Sequence, residues 1–337
     1  MKPTNFARYM SLYLTEFLPG IKGVSYNTIA SKRDAYMLLL KYLKETKNVK
    51  PEDAEIPQLS REVIAEFLDW LETARNSSIS TRNIRLAAIK SLFSYIQTQT
   101  PDYIYQCQQI LSIPRKKEPE HTLEYLTVDG VKAVLDTIDG STKQGLRDIA
   151  LLSIMYDSAA RVQEIADLCV NDFRKEKPAT LRLTGKGQKT RIIPLMKTTA
   201  ELLSKYIDAF HSNYNGEKGI PLFSNRNKTK LTRAGIAYIL NKYVERARKE
   251  QPALIPENIS PHGFRHSKSM HMLQAGVPLI YIRDFLGHSE ISTTEIYARC
   301  DSEQKRKAIE AACPNITKAE TPLWHSDSLL IEWLQSL

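Results

Sequence analysis

Apolar residues recur at helical spacing through the first third of the chain. The spacing predicts four or five helices, at about 6–17, at 28–43, after Ser60, at 80–97 and at 103–111. Ser60 is a typical N-cap, and Glu62 and Glu66 behind it suit a helix N-terminus. In the helix at 80–97, the side chains predicted to face inward are Ile84, Ala87, Ala88, Leu92, Phe93 and Ile96. We therefore expect a helical N-terminal domain over residues 1–111.

The hydrophobic pattern then changes twice. Residues 112–126 hold two prolines and a basic run without a clear period, which predicts a linker between domains. Beyond Thr127, a predicted N-cap, the pattern alternates with period two over 179–195 on both sides of a Gly/Lys turn, which predicts a β-hairpin. Helical spacing predicts the other elements, at 127–138, 145–156, 161–168, 198–211, 232–250, 261–275, 278–286 and 301–312. The expected second domain, 127–313, is thus mainly α with a small β-hairpin.

The last residues, 314–337, form a separate tail. One helical stripe near its end consists of Leu330, Trp333, Leu334 and Leu337. So short an amphipathic helix is not stable alone in water and has to dock. Docking on its own domain and docking on a neighbouring protomer both satisfy that requirement.

The positive net charge indicates what kind of binding partner to expect. The 337 residues carry a formal charge of +9 with a pI near 9.2, and both predicted domains are basic. A polyanion such as nucleic acid is the favoured partner, although basic proteins without such a partner also occur. Basic side chains that could meet DNA phosphates are Arg82, Arg85 and Lys90 on the helix at 80–97, and Arg115, Lys116 and Lys117 in the linker. The alternative for each is an ordinary solvated surface.

The cysteines and the N-terminus favour a cytoplasmic protein. Cys107, Cys169, Cys300 and Cys313 are far apart and form no CxxC pair, so neither a zinc knuckle nor a disulfide framework is expected. Charged residues interrupt the N-terminus, so no signal peptide is expected, and no apolar stretch is long enough to span a bilayer.

Candidate chemistry begins with Arg161, which follows the apolar helix at 145–156. An arginine at such a place needs an anionic partner, and Glu164 is one helical turn away. From this segment alone, a purely structural Arg–Glu pair is the favoured interpretation. Lys186 lies at the tip of the predicted hairpin between two glycines, where a mobile lysine can donate a proton. Most such lysines are simply exposed, and Lys189 is a rival on the same loop.

His262 and Arg265 lie in the run SPHGFRH. Ser260 and Pro261 predict a helix start, so His262 and Arg265 share one face near a helix N-terminus, where the backbone favours an anion. His266 directly follows Arg265 and is expected to face elsewhere, in a structural role.

His288 and Tyr297 complete the set. His288 follows Gly287, which is predicted to cap the preceding helix in a left-handed conformation. Tyr297 lies nine residues further on, and Ser292 or Thr293 can cap a short helix that carries it. Among 16 tyrosines, only its context singles out Tyr297.

Taken in order, Arg161, Lys186, HxxR at 262–265, Gly-His288 and Tyr297 resemble the motifs of the tyrosine recombinases, also called the phage integrase family. The resemblance covers about 127–312; the N-terminal region is similar only in size and class. It implies a two-domain clamp made of a helical core-binding domain and an α+β catalytic domain. It also implies that Arg161, Lys186, His262, Arg265, His288 and Tyr297 are catalytic and that Glu164 helps to hold Arg161.

The implied activity is site-specific DNA recombination through a 3′-phosphotyrosine intermediate and a Holliday junction, without ATP, metal or another cofactor. The expected partners are double-stranded DNA, further protomers in a tetramer on two duplexes, and an accessory DNA-bending or directionality protein. The expected biology is integration or excision of a mobile element by a cytoplasmic protein that joins the nucleoid when bound to DNA. The alternatives are a type IB topoisomerase, which shares this site, and a DNA-binding regulatory factor without catalysis.

Overall fold

The computed structural model describes residues 3–118 and 124–288, together with Thr294, Tyr297, Glu332 and Ser336; of Lys186 it describes the backbone only. The chain divides into two compact units, Met1–His121 and Thr122–Leu337. Within the described ranges, no helix is long and apolar enough to cross a membrane. The predicted helix at 301–312 and the amphipathic stripe of the tail lie outside the described residues.

The first unit is helical, as predicted. Ser60 N-caps its third helix, because the side-chain oxygen accepts a hydrogen bond from the Val63 amide, 3.3 Å away. The helices are α1 (Asn5–Leu12), continued by a π-helix (Tyr13–Ile21), α2 (Tyr26–Thr46), α3 (Arg61–Thr73), α4 (Ile79–Gln99) and α5 (Ile104–Leu111). Their apolar faces enclose one core, which includes Leu39, Phe67, Leu86, Ile89 and Phe93.

Helix α4 has a different buried face from the predicted one. Ile84 is 53% exposed and Ala87 is also exposed, whereas Leu86 and Ile89 are fully buried. The helix packs against α2, α3 and α5, so it is buried on more than one side and no narrow stripe defines its orientation.

Arg82 was expected on the solvated face of α4 and is instead buried, with 6% exposure. Its Nε lies 3.5 Å from the Glu72 carboxylate, and its Nη1 donates to the Pro114 carbonyl at 3.4 Å. Because an ion pair and a backbone carbonyl already engage it, Arg82 is a structural arginine of the first unit and not a candidate for binding phosphate.

Both ends of the predicted linker belong to the units themselves. Ile113 is buried in the first core, and the Asn83 side chain exchanges two hydrogen bonds with the backbone of Lys116, at 2.9 and 3.1 Å. At the other end, Leu126 is buried in the second core, and its amide donates to Ser267 Oγ at 2.9 Å. The segment free of such packing is therefore shorter than 112–126.

The second unit surrounds its core with helices and one small sheet. The helices are α6 (Val128–Asp136), α7 (Lys143–Ser158), α8 (Val162–Ala166), α9 (Lys197–Phe210), α10 (Arg233–Glu250), α11 (Pro261–Gln274) and α12 (Leu279–Leu286). The strands β1 (Phe173–Arg174), β2 (Thr180–Thr184) and β3 (Thr190–Pro194) form an antiparallel sheet in that order. The predicted hairpin is β2 and β3, with Leu181 opposite Ile193 and Leu183 opposite Arg191. Strand β1 was not predicted; it is only two residues long, too short to show a period.

Candidate active site

The turn from α7 into α8 positions Arg161. Ala159 ends α7 in a left-handed conformation, with φ of 46°, and Arg161 then caps α8. Its backbone amide donates to Glu164 Oε2 at 2.8 Å, and its Nη1 donates to Glu164 Oε1 at 3.0 Å. The side chain remains 35% exposed, so Arg161 is anchored by the glutamate and still accessible to a ligand.

Arg191 is the second cation on Glu164, and it was not among the residues predicted from the sequence. From β3, its Nη1 and Nη2 donate to the two carboxylate oxygens, each at 2.8 Å, and its Nε donates to the Phe285 carbonyl at 3.0 Å. Burial alone would raise the pKa of Glu164, but the hydrogen bonds and charges of Arg191 and Arg161 outweigh burial and lower the pKa to about 2. A signal was present: Arg191 precedes the inward-facing Ile193 by two strand positions, and an arginine on the core side needs an anion.

Arg265 enters the same site from α11, where Ser260 accepts a hydrogen bond from the Gly263 amide as the predicted N-cap. Its guanidinium is buried and donates to two backbone carbonyls, those of Ala159 at 2.6 Å and Leu286 at 2.7 Å. Burial, followed by the charge of Arg161, lowers its pKa to about 10, so Arg265 stays charged at neutral pH. Two carbonyls at fixed positions thus hold a permanent cation in one orientation.

His288 follows the predicted left-handed cap, Gly287, whose φ is 64°. Its Nε2 lies 3.1 Å from Arg265 Nη2, and its Nδ1 lies 2.9 Å from Thr294 Oγ1. Because an arginine can only donate, Nε2 is the acceptor and Nδ1 carries the proton. Burial, and then the charges of Arg265, Arg161 and Arg191, lower the pKa of His288 to about 4, which agrees with this neutral form.

Tyr297 lies in an apolar cluster with Ala159, Met270, Ile282 and Leu286, and is 1% exposed. Burial raises the pKa of its phenol above the ordinary value, and a hydrogen bond with Ser269 and the charges of Arg265 and Arg161 offset only part of that rise. The phenol therefore lies within the field of both arginines. The residues predicted to cap its helix, Ser292 and Thr293, lie outside the described part of the chain.

His266 does not face elsewhere, contrary to the sequence expectation. Its Nδ1 lies 2.8 Å from the Tyr297 hydroxyl oxygen, and its ring is 6.4 Å from the ring of His262 between centroids. Spacing would have revealed this, because residues four apart on a helix share one face and His266 is four residues after His262. His262 itself is exposed; partial burial, and then the charges of Arg265 and Arg161, lower its pKa.

An open cleft of about 610 Å³ adjoins the site on the side of Arg161 and His288. Its lining includes Arg161, Arg191, Lys189, Gly287 and His288. Lys186 lies in the hairpin loop between Gly185 and Gly187, which both line the cleft. In this loop Gly187 and Gln188 have positive φ, and the Gly185 amide donates to the Lys189 carbonyl at 2.8 Å. The Lys186 side chain lies outside the described atoms, whereas Lys189 is exposed.

The other basic residues singled out from the sequence lie in the first unit. Arg85 donates to the Ser31 carbonyl at 2.9 Å, and Lys116 forms an ion pair with Glu72 at 2.7 Å. Lys90 is half-buried, and burial together with the charge of Arg115 lowers its pKa. Arg115 and Lys117 are exposed. In the described ranges no three His, Cys, Asp or Glu side chains are grouped as a metal site would require.

Comparison with known proteins finds similar chains over nearly the full length. The model of the phage integrase family matches residues 124–304. Putative integrase/recombinase y4rC of Sinorhizobium fredii is 32% identical over 336 residues, covering 100% of this chain and 99% of that protein. Tyrosine recombinase XerD of Listeria innocua is 32% identical over 286 residues, covering 83% of this chain and 90% of its own.

Two solved structures share the fold. XerH site-specific recombinase bound to difH substrate, in a pre-cleavage complex, aligns with a TM-score of 0.65 at 24% identity, covering 89% of this chain and 84% of that one. The Tn1549 transposon integrase in complex with transposon right end DNA aligns with a TM-score of 0.68 at 17% identity, covering 90% and 98%. The expected fold class, mainly helical with a small sheet, is confirmed.

Proposed function

The chain belongs to the phage integrase family of tyrosine recombinases, and from this premise we propose that it cleaves and rejoins double-stranded DNA at specific sites, with Tyr297 as the nucleophile. The observation that carries the proposal is the convergence of Arg161, Arg265 and His288 with the phenol of Tyr297 in one part of the second unit. The two alternatives, a type IB topoisomerase and a non-catalytic DNA-binding factor, are not favoured by the relatives.

The charge balance of the site suits a phosphodiester. Three arginines, at 161, 191 and 265, surround a single buried carboxylate, that of Glu164. Arg191 satisfies both oxygens of that carboxylate, so Arg161 is held without being fully neutralised. Arg161 and Arg265 would donate to the non-bridging phosphate oxygens and stabilise the charge that builds up on them in the transition state.

In the proposed reaction, the Tyr297 oxygen attacks phosphorus and forms a 3′-phosphotyrosine, while the bond from phosphorus to the 5′-oxygen breaks. Lys186 would give a proton to the departing oxygen. A 5′-hydroxyl of another strand then attacks the phosphotyrosine and releases the tyrosine. The ester retains the bond energy, so rejoining needs no ATP.

His262 and His288 would act on the phosphodiester in different ways. His262 is the exposed acid or base predicted from the HxxR motif. His288 would bind a phosphate oxygen through Nε2, which in the free site accepts from Arg265. Binding therefore requires His288 to gain a proton there, and a nearby phosphate favours that by raising its pKa.

The proposal extends to partners and biology. The DNA surface would include Arg85, Lys90, Arg115, Lys116, Lys117 and Lys189, but not Arg82. Four protomers on two duplexes, exchanging strands through a Holliday junction, would integrate or excise a mobile element; the names integrase/recombinase and transposon integrase among the similar proteins support this. The tail at 314–337 would dock on its own or a neighbouring domain, and an accessory protein would set direction.

The test is covalent trapping on a nicked duplex taken from the DNA that flanks the coding region. Wild type should give a band of protein joined to DNA on a denaturing gel, and Tyr297→Phe should give none while still binding the duplex. Tyr281→Phe, an exposed tyrosine on α12, is the matched control and should react like wild type. Trapping by Tyr297→Phe would remove Tyr297 from the role of nucleophile, and binding without trapping by wild type would favour the regulatory alternative.

A further inference from the structure

We propose that His266, rather than His262, is the general base that takes the phenol proton from Tyr297 during strand cleavage. This assignment rests on the proposed function of the same site. The observation behind it is the 2.8 Å separation of His266 Nδ1 and the Tyr297 hydroxyl oxygen, a full hydrogen bond between a basic nitrogen and the reacting atom.

The hydrogen-bond inventory leaves the imidazole as the only basic acceptor next to this phenol among the described residues. Tyr297 also forms a hydrogen bond with Ser269. The Ser269 hydroxyl lies 3.0 Å from the Arg265 carbonyl, and its bond with the phenol lowers the pKa of Tyr297, which is the effect of a donor, so it leaves the single phenol proton to another acceptor. A serine oxygen is not a base at neutral pH. The phenol proton therefore has one place to go, His266 Nδ1.

The environment keeps His266 ready to accept that proton. Burial, and then the charges of His262 and Arg265, lower the pKa of His266 to about 4, so the ring is neutral at physiological pH. A weak base gains strength when negative charge arrives, because the charge stabilises the imidazolium. The bound phosphodiester carries this negative charge, so His266 becomes a stronger base in the complex in which the phenol must lose its proton.

The step balances. The bond between the Tyr297 oxygen and phosphorus forms, the bond between phosphorus and the 5′-oxygen breaks, and the phenol proton moves to His266 Nδ1. The departing 5′-oxygen takes its proton from Lys186, as in the proposed function. On rejoining, the incoming 5′-hydroxyl returns a proton to Lys186, and His266 returns its proton to the released tyrosine.

The experiment compares single-turnover rates of covalent adduct formation for wild type, His266→Ala and His266→Asn. The asparagine side chain can offer an oxygen acceptor near the place of Nδ1, but it cannot hold a proton at neutral pH. Both variants should react about 100-fold more slowly than wild type, the size typical of a lost general base. The rate of His266→Ala should also rise about tenfold per pH unit from pH 7 to 9, since hydroxide replaces the base, whereas wild type should change little.

His271→Asn is the matched control. His271 lies on the same helix, and its Nδ1 forms an equivalent 2.8 Å hydrogen bond with a different tyrosine, Tyr156. It should lose a similar amount of thermal stability but keep the wild-type rate. A DNA substrate with sulfur in place of the bridging 5′-oxygen adds a second readout, because a sulfur leaving group needs no proton. That substrate should rescue Lys186→Ala and fail to rescue His266→Ala.

The outcomes separate this assignment from the proposed function. If wild type forms adduct and His266→Asn stays within threefold of it, His266 only positions Tyr297 and the base assignment is overturned. The same holds if the sulfur substrate rescues His266→Ala. If wild type forms no adduct on DNA that it binds, the proposed function fails, and the assignment fails with it.

Discussion

Replacing Glu164 by glutamine tests whether one buried carboxylate holds the arginines of the site together. The substitution keeps the shape of the side chain and removes its charge. In the wild type, the carboxylate accepts from both Nη atoms of Arg191, from Arg161 Nη1 and from the Arg161 amide. In the variant, the three arginines lose the buried carboxylate between them, and the amide end of glutamine faces donors that it cannot satisfy.

The magnitude follows from the pKa. Glu164 has a pKa of about 2 in the folded chain, compared with an ordinary value of 4.5. Each pKa unit corresponds to about 1.4 kcal/mol, so the charged form is favoured by about 3 kcal/mol in the folded state. The side chain is 2% exposed, so solvent screens little of this. We expect Glu164→Gln to lower the free energy of unfolding of the second unit by about 3 kcal/mol at pH 7.

The dependence on pH has a definite sign. A carboxylate whose pKa is lowered on folding contributes its full stability above its ordinary pKa and loses it as the pH falls toward the folded value. The difference between wild type and variant should therefore be constant above about pH 5 and shrink between pH 4.5 and 2. Other acidic groups titrate in both proteins and cancel from the difference.

Urea unfolding of the full chain, followed by far-UV circular dichroism from pH 7 to 3, measures this difference. Phe67→Ala, in the core of the first unit, identifies the transition of that unit. Glu201→Gln is the control, because its ion pair with Lys197 is exposed and 3.9 Å long; it should cost at most about 0.5 kcal/mol. A loss below about 1 kcal/mol for Glu164→Gln, or a loss that does not vary with pH, would refute the argument.

Two further substitutions test the backbone that carries the site. Gly287→Ala should lower the stability of the second unit by about 1–2 kcal/mol, because its φ is 64° and the added Cβ would lie 3.0 Å from Arg191 Nη1. Gly276→Ala, with φ of 81° and nothing within 4 Å, should show only the backbone part, so equal losses in thermal unfolding would contradict crowding against Arg191. Ser260→Ala should cost about 1 kcal/mol by removing the N-cap of α11, and an unchanged melting temperature would show that the cap is dispensable.

Local signals in the sequence were sufficient for most elements. The N-caps at Ser60, Thr127 and Ser260 and the left-handed Gly287 are all present, because each depends on residues within one helical turn. The hairpin was equally predictable, since its two strands alternate and are adjacent in sequence. The candidate site residues were predicted from the order of motifs along the chain. Motif order identifies a family but does not give distances between side chains.

What the sequence did not reveal depends on contacts between distant elements. Arg82 is buried because Glu72, on another helix, and Pro114 engage it, and neither contact leaves a local signature. Arg191 and Glu164 are 27 residues apart in the chain, on β3 and α8, so no local pattern predicts their ion pair. His266 is different, because its four-residue spacing from His262 is a local signal in the sequence and places the two histidines on one helix face.

Arg265 has two tasks at once, and this affects how descent within the family can be interpreted. Its side chain ties the end of α7 to the end of α12 through two backbone carbonyls, so the core of the second unit depends on it whether or not DNA is ever cut. Selection for folding alone would preserve this arginine in a lineage that had abandoned recombination. Its retention is therefore poor evidence of activity in a descendant. In a descendant that no longer recombines DNA, we expect the first substitutions at catalytic side chains that form no such hydrogen bonds with the backbone.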